Sequence, residues 1–267
     1  MIDQIIILAL IFFGVSILFS MLGMGGGVLY VPILLLAGFG MSSAPSISLI
    51  LIAATSLAAL SHFFKNKKVD WKLALVIDPP TDIMAFVGGY FSSLVPEPIL
   101  RSILIVVLML AGTLMLKKRQ KATLLKLDND HWWLWHREFN GEQYTVHLPL
   151  VLMATVLIGL FSGMLGITGG IIKLPIMVLL CGVPMDIAIA TSTVMVAVTA
   201  LSGIAGHTIR GQVDWHTGLL LATVAVVGGL IGSRISVSMN KVRLKKGFGV
   251  VVWIIALRMA AKLILKI

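Results

Sequence analysis

Two stretches of the chain are nearly alike: MLGMGGGVLYVPI at residues 21–33 and MLGITGGIIKLPI at residues 164–176. Seven of the thirteen aligned positions are identical, and these include three glycines and a proline. The second stretch follows the first by 143 residues in a chain of 267. One shared glycine cluster can arise by chance, so the sequence around it decides whether the chain is duplicated.

The same register continues downstream at two further places. VDW at 69–71 returns as VDW at 213–215, and AFVGGY at 85–90 aligns with GLIGSR at 229–234, each after 144 residues. Three matches in one order, at a nearly constant separation, indicate that one unit occurs twice in the chain.

The composition predicts a membrane protein. The chain is 58% hydrophobic and 12% charged, with a mean hydropathy of +1.04, whereas about a quarter of the residues in soluble domains are charged. Apolar runs recur along the whole chain, and a helix of about 20 residues crosses the hydrocarbon. We therefore predict an all-α, polytopic membrane protein with ten helical segments, at 4–22, 25–39, 44–64, 72–95, 99–116, 146–164, 168–181, 186–208, 216–238 and 247–264.

The ten segments divide into two units of five: residues 1–116 are repeat 1, residues 117–145 a polar cytoplasmic linker, and residues 146–267 repeat 2. If all ten segments cross, 14 of the 21 Lys and Arg residues fall on one side, which the retention of basic loops identifies as the cytoplasm. Both termini then lie outside. Re-entrant segments at 25–39 and 168–181 would instead divide the basic clusters between the two sides. Because five is odd, ten crossings give the inverted-repeat plan of many transporters.

The composition also bears on partners. The net charge of +10 comes from short basic clusters between apolar runs, as in loops that orient helices, so no nucleic acid partner is predicted. The single cysteine, Cys181, permits neither an intrachain disulfide nor a Cys-based metal cluster. No cofactor and no metal is predicted. The predicted surroundings are the lipid bilayer, and the sequence leaves the oligomeric state open, a homo-oligomer included.

The paired glycine segments form the first candidate site. The aligned residues are Gly25, Gly26 and Gly27 in the first half and Thr168, Gly169 and Gly170 in the second. Such a run should interrupt a helix, and interrupted backbone at membrane depth must be buried in protein or line a wet cavity. Each restarting helix would point free N–H groups at that place, which suits an anion. The other interpretation is close helix packing through small residues.

Lys173 is the second candidate, in the place where Tyr30 stands in the first half. A lysine within a membrane helix costs about 2.5–3.5 kcal/mol on insertion scales, so it normally faces a partner or a cavity. It can bind a substrate anion or pair with a carboxylate, and snorkelling to the interface is a third interpretation. We include Lys173 among the substrate-binding residues.

Asp78 and Asp82 are the only carboxylates well inside an apolar segment. Their spacing of four places them on one helix face if the helix continues through the two intervening prolines. A buried carboxylate that can take up a proton is a usual proton-coupling group. The alternatives are an ion pair with Lys173 or Arg234 and a position near the interface.

The two glycine segments, with AIATS at 188–192, GQVDW at 211–215 and GGLIGSR at 228–234, resemble the TauE/SafE family of sulfite exporters. The resemblance covers nearly the whole chain except the linker. It implies a bacterial-type inner-membrane permease for sulfur-containing anions such as sulfite or sulfonates. By motif match, it implies a substrate site at Gly25, Gly26, Gly27, Thr168, Gly169, Gly170, Thr191 and Ser192.

Two features depart from the family pattern. The first half has Ser48 near the place of Thr191 and lacks a clean copy of the motif, and Asp-Pro-Pro-Thr-Asp at 78–82 stands where the pattern is small and apolar. The substrate and the coupling ion can therefore differ from those of a sulfite exporter.

We predict a secondary transporter that works by alternating access on a small anion, with protons as a coupling ion. The first alternative is an uncoupled anion channel. The second is an intramembrane enzyme or assembly factor, which the absence of a GxSxG, P-loop or CxxC motif disfavours.

Overall fold

The structure, a computed structural model, describes residues 2–23, 25, 27–116, 132–167, 169–235 and 241–264. Each predicted apolar segment contains a helix. The helices are α1 (Ile2–Met21), α2 (Gly27–Leu36), α3 (Ala44–Lys65), α4 (Trp71–Ile77), α5 (Pro79–Phe91), α6 (Glu97–Leu116), α7 (Leu148–Leu165), α8 (Gly170–Pro175), α9 (Met185–Ile209), α10 (Trp215–Ile235) and α11 (Lys241–Ile264). A 3₁₀ turn (Ser92–Leu94) follows α5, and a π-helical turn (Ile176–Leu180) follows α8.

The predicted fourth segment is two helices rather than one. Pro79 and Pro80 lack the amide hydrogen of a helical residue, and α4 gives way to α5 at Asp78. The path stays nearly helical there, because the Asp82 amide donates to the Asp78 carbonyl at 3.0 Å. The two carboxylates therefore remain neighbours across the junction.

The prediction of an all-α chain was wrong in the linker. Strands β1 (Leu134–Phe139) and β2 (Glu142–His147) pair there as an antiparallel hairpin. The turn is Asn140-Gly141, with φ of +52° and +78°, which is the preferred chemistry of a two-residue hairpin turn. The Asn-Gly pair is visible in the sequence, but the surrounding segment is so polar that its composition indicates only a linker.

The outer surface of the helices is apolar. Large apolar side chains are exposed on many of the helices, and Leu75 and Met153, for example, are 70% and 71% exposed. Extensive exposed apolar surface marks contact with lipid or protein. In the described part of the chain, α3, α6, α7, α9 and α10 are long and apolar enough to cross a membrane. These five helices confirm the prediction of a helical membrane protein.

The largest helix contacts join the two parts of the chain on either side of the hairpin. Helices α1 and α3 pack on α10, α5 packs on α7 and α9, α3 packs on α9, and α6 packs on α11. Glycines permit these close approaches: a Cβ on Gly163 would overlap the Ala85 carbonyl, and one on Gly232 would overlap the Ile17 carbonyl. The residues before and after the hairpin thus share one core.

Candidate functional site

Both glycine segments interrupt the helical path. Between α1 and α2, Gly23 and Gly25 have φ of +65° and +66°, and Gly166, the counterpart of Gly23, has φ of +65° between α7 and α8. Residues other than glycine rarely adopt this backbone conformation. The predicted breaks are therefore present at matching places.

A serine from the other half of the chain donates a hydrogen bond to each break. The Ser192 hydroxyl on α9 donates to the Gly23 carbonyl at 2.8 Å, and the Ser48 hydroxyl on α3 donates to the Gly166 carbonyl at 2.6 Å. Ser48 precedes Ser192 by 144 residues. It is thus the counterpart of Ser192 rather than of Thr191, and the first half does carry this element of the motif.

The predicted glycines are buried, and they lie close to polar side chains of neighbouring helices. A Cβ on Gly25 would lie 2.6 Å from Val196 Cγ1 and 2.8 Å from Ser56 Oγ, and one on Gly169 would lie 3.2 Å from Ser162 Oγ. Gly27 and Gly170 begin α2 and α8. The remaining members of this prediction, Gly26 and Thr168, lie outside the described residues.

Lys173 lies in a buried network with both predicted carboxylates. Its side chain is 1% exposed, its ammonium donates to Asp78, and it donates to Thr199 Oγ1 at 3.1 Å. The Thr199 hydroxyl in turn donates to Asp82 Oδ1 at 2.8 Å. Of the interpretations of Lys173, the structure shows the ion pair with a carboxylate. No three His, Cys, Asp or Glu residues come together as metal ligands in the described ranges.

Sequence reasoning missed Thr199, although the repeat carried a signal for it. Tyr30 is the counterpart of Lys173, and Thr55 precedes Thr199 by 144 residues. The Tyr30 and Thr55 hydroxyls are 3.2 Å apart, and Thr55 donates to the Leu51 carbonyl, so Tyr30 is the donor to Thr55. The same place is thus neutral in the first half and charged in the second.

Ser56 and Thr81 carry buried hydroxyl groups with no hydrogen-bond partner in the part of the chain that the structure describes. An unsatisfied buried donor costs about 1–3 kcal/mol. The Ser56 hydroxyl faces the break before α2, as its proximity to Gly25 shows.

Thr191 lies at a different place from its neighbour Ser192. Its hydroxyl accepts a hydrogen bond from the Asp70 amide at 3.0 Å. Asp70 caps α4 and binds the hairpin: its carboxylate accepts two hydrogen bonds from Arg137, at 2.8 and 3.0 Å, and one from Tyr144. Thr191 thus connects α9 to a buried cluster that sequence reasoning did not predict.

The surroundings of Asp70 favour its charged form. Burial alone would raise the pKa of Asp70, but the hydrogen bonds from Arg137, Tyr144 and the Leu73 amide, with the charge of Arg137, bring this pKa below its ordinary value of 3.8. The hydrogen bonds that hold the hairpin against the start of α4 are therefore charge-assisted at neutral pH.

Comparison with known proteins agrees with the motifs. The family model described as sulfite exporter TauE/SafE matches residues 8–259. The chain is 27% identical over 231 residues to "Probable membrane transporter protein YunE" of Bacillus subtilis, covering 83% of this chain and 84% of the relative. It is 26% identical over 221 residues to "Probable membrane transporter protein YfcA" of Escherichia coli, covering 80% and 74%.

A third relative matches the chain over a longer stretch. The chain is 24% identical over 246 residues to "Probable membrane transporter protein MJ0441" of Methanocaldococcus jannaschii, covering 88% of this chain and 86% of the relative. No solved structure matches the chain. The family match spans nearly the whole sequence and confirms the resemblance carried by the glycine motifs. The chain belongs to the TauE/SafE family, whose named relatives are membrane transporters rather than enzymes.

Proposed function

We propose that this protein is a secondary transporter that carries a small sulfur-containing anion, such as sulfite or an organosulfonate, by alternating access. The family description supplies the substrate class. The observation that carries the proposal is the pair of interrupted helices, each fastened to the opposite half by one serine. Interrupted helices at matching places in two halves are the usual position of a transporter's binding site.

The helix contacts support two repeats of five segments related by a pseudo-two-fold axis, and five crossings in each repeat would make the repeats inverted. In the repeat alignment, α1 corresponds to α7, α3 to α9, α4 with α5 to α10, and α6 to α11. The contact of α1 with α10 then mirrors that of α7 with α5, and the contact of α3 with α10 mirrors that of α9 with α5. The remaining large contacts, α3 with α9 and α6 with α11, pair counterparts with each other, as a pseudo-two-fold axis requires.

In this proposal all ten segments cross a bacterial-type inner membrane. The linker at 117–145 is cytoplasmic and both termini are outside, as the basic residues predict. The two halves then rock against each other at the contact of α3 with α9, which would expose the site to each side in turn.

The substrate binds between the two breaks. Backbone N–H groups at the starts of α2 and α8 supply donors for the anion. The binding residues in this proposal are Gly25, Gly26, Gly27, Thr168, Gly169, Gly170 and Lys173. Ser192 and Thr191 support the site indirectly in this proposal. Ser192 hydrogen-bonds to the first break, and Thr191 hydrogen-bonds to the residue that caps α4.

Lys173, Asp78 and Asp82 couple the anion to protons. Because the Lys173 ammonium is already paired, an anion that reaches it competes with the Asp78 carboxylate. A proton taken up by Asp78 releases Lys173 and keeps the buried charge balanced. Asp82 provides a second proton acceptor through Thr199. Anion and proton then move in the same direction.

Sulfite uptake into proteoliposomes tests the proposal. The wild type should show saturable uptake that an inward proton gradient accelerates. Asp82→Asn should weaken the gradient dependence, whereas Glu97→Gln, at a carboxylate paired with Arg101 in an exposed position, should preserve it. Uptake that neither saturates nor responds to the gradient would indicate a channel, and the absence of any anion flux would exclude transport.

A further inference from the structure

We propose that the hydroxyl of Ser56, on α3 in the first half of the protein, binds an oxygen of the transported anion beside the start of α2. This inference rests on the proposed function and assigns one residue and one half to the substrate. Ser56 is 1% exposed, and its hydroxyl has no hydrogen-bond partner among the described residues. It lies 2.8 Å from the position that a Cβ on Gly25 would take, two residues before α2 begins.

Two other hydroxyls of the same helix, one before and one after Ser56, are satisfied by the helix itself. Thr55 donates to the Leu51 carbonyl at 2.7 Å, and Ser61 donates to the Ala58 carbonyl at 2.7 Å, the ordinary behaviour of Ser and Thr in a helix. The Ser56 hydroxyl instead lies beside Gly25 in the helix break. The first N–H groups of an α-helix point toward the residues that precede it, which for α2 are the same break. Donors that converge on one place fit a ligand with an acceptor oxygen.

The second half does not offer the same site. Ala200 takes the place of Ser56 there, α8 has only six residues, and the Lys173 ammonium is occupied by Asp78 and Thr199. The repeat has therefore diverged into a half with neutral donors and a half with a charged pair.

The two halves of this arrangement meet on α9. Val196 Cγ1 lies 2.6 Å from the position of a Cβ on Gly25, and Thr199 follows Val196 by three residues, which places them on neighbouring turns of one helix face. An anion at Ser56 is thus one turn of α9 away from the hydroxyl that joins Lys173 to Asp82. This proximity gives the anion a direct influence on the charged pair.

The donors around Ser56 are neutral, and the Lys173 ammonium is held by Asp78 until a proton releases it, so the donors at Ser56 select the charge of the ligand. A site of N–H and O–H groups compensates a single negative charge better than a double one, because the cost of removing an ion from water rises steeply with its charge. The class assigned to this site is a singly charged oxyanion, such as hydrogensulfite or an alkanesulfonate, in preference to sulfate.

Calorimetric titration of the purified full-length protein tests this inference. Ethanesulfonate and hydrogensulfite should bind more tightly than sulfate. Ser56→Ala should raise the dissociation constant for ethanesulfonate about tenfold, the effect of losing one hydrogen bond to a charged group. Ser61→Ala, a matched change on the same helix, should leave it unchanged. The melting temperature of ligand-free Ser56→Ala should be equal to that of the wild type or higher, because the lost hydroxyl had no partner.

The outcomes separate this inference from the proposed function. Unchanged binding in Ser56→Ala, a joint loss of binding and stability, or no oxyanion binding by the wild type would each overturn the assignment of Ser56. If binding depends on Ser56 but the wild type gives no flux in proteoliposomes, the site stands and transport is wrong. If flux occurs with a normal Michaelis constant in Ser56→Ala, transport stands and the site is wrong.

Discussion

At the scale of single residues, the buried pair of Lys173 and Asp78 has the clearest energetic consequence. Removing one partner of a buried ion pair leaves a charge without compensation and typically costs about 3–5 kcal/mol, whereas replacing both partners by apolar groups is often nearly neutral. Thr199 bonds to Lys173, but a hydroxyl supplies no net charge. The stability contributed by either residue therefore depends on the other.

Asp78→Asn should lower the free energy of unfolding by about 3 kcal/mol, because Lys173 loses the carboxylate it bonds directly and reaches Asp82 only through Thr199. Lys173→Met, added to Asp78→Asn, should recover most of that loss. Thermal unfolding of the detergent-solubilised protein, followed by circular dichroism, measures both. Equal melting temperatures for the single and double variants would show that the two charges are not coupled.

Asp70 predicts a pH-dependent attachment of the hairpin. Its pKa in the folded protein lies below the ordinary value of 3.8. The ionised carboxylate therefore contributes stability that is present above pH 3.8 and is lost as the pH falls through the lower folded value. The hairpin should be attached at neutral pH and released in strong acid.

A reporter dye on residue 142, an exposed position beside the turn, measures this release. In a Cys181→Ser background that also carries Glu142→Cys, the dye should become more mobile on acidification. Asp70→Asn should make it mobile at every pH, because the amide cannot form the charge-assisted bonds to Arg137. Asp214→Asn is the control, because Asp214 caps its helix without a hairpin contact. An acid transition that survives in Asp70→Asn would assign the pH dependence to another group.

Residue types were predictable from the sequence where burial conflicts with charge. Lys173, Asp78 and Asp82 stood out because a membrane helix rarely contains such residues, and an ion pair was among the expected interpretations. The role of Thr191 was not predictable, since its bond to Asp70 depends on where the loop before α4 meets α9. The sequence allowed Ser56 two roles, as a donor to a substrate oxygen or to its own helix backbone. The structure was needed to show that its hydroxyl has no partner among the described residues.

At the scale of helices, small residues determine how closely two helices approach. Gly163 on α7 lies against the Ala85 carbonyl of α5, and no space remains there for a Cβ. Gly14 on α1 has nothing within 4 Å of the place its Cβ would take. The two positions differ in packing, although both are glycines within long helices.

Gly163→Ala should therefore destabilise the protein by about 1–3 kcal/mol, the usual cost of overpacking. Gly14→Ala should be neutral or stabilising by up to about 1 kcal/mol, because alanine has the higher helix propensity. Melting temperatures measured in one detergent compare the two directly. A stable Gly163→Ala variant would mean that α5 and α7 are further apart than the structure has them.

The extent of most helices followed from apolar runs, because length and hydropathy decide whether a segment can enter a membrane. The divided fourth segment and the hairpin did not follow from hydropathy. Both depend on local backbone chemistry, at Pro79 and Pro80 in the first case and at Asn140-Gly141 in the second.

At the scale of the whole molecule, duplication explains the arrangement of the breaks. The repeat in the sequence predicted that two glycine segments occupy equivalent places. It did not predict that Ser48 and Ser192 each bond to the break of the other half, because a pattern within one half carries no information on contacts between halves. The proposed site thus involves both repeats, and a change in their relative position would alter both breaks together.

In the proposed mechanism, a single anion site is exposed to one side of the membrane at a time. Counterflow measures this alternation: proteoliposomes loaded with unlabelled sulfite are diluted into a trace of radiolabelled sulfite. We predict that labelled sulfite transiently accumulates inside above its external concentration, that Gly25→Leu abolishes the accumulation, and that Gly14→Ala preserves it. Labelled sulfite that only equilibrates, at a rate independent of the sulfite inside, would contradict alternating access.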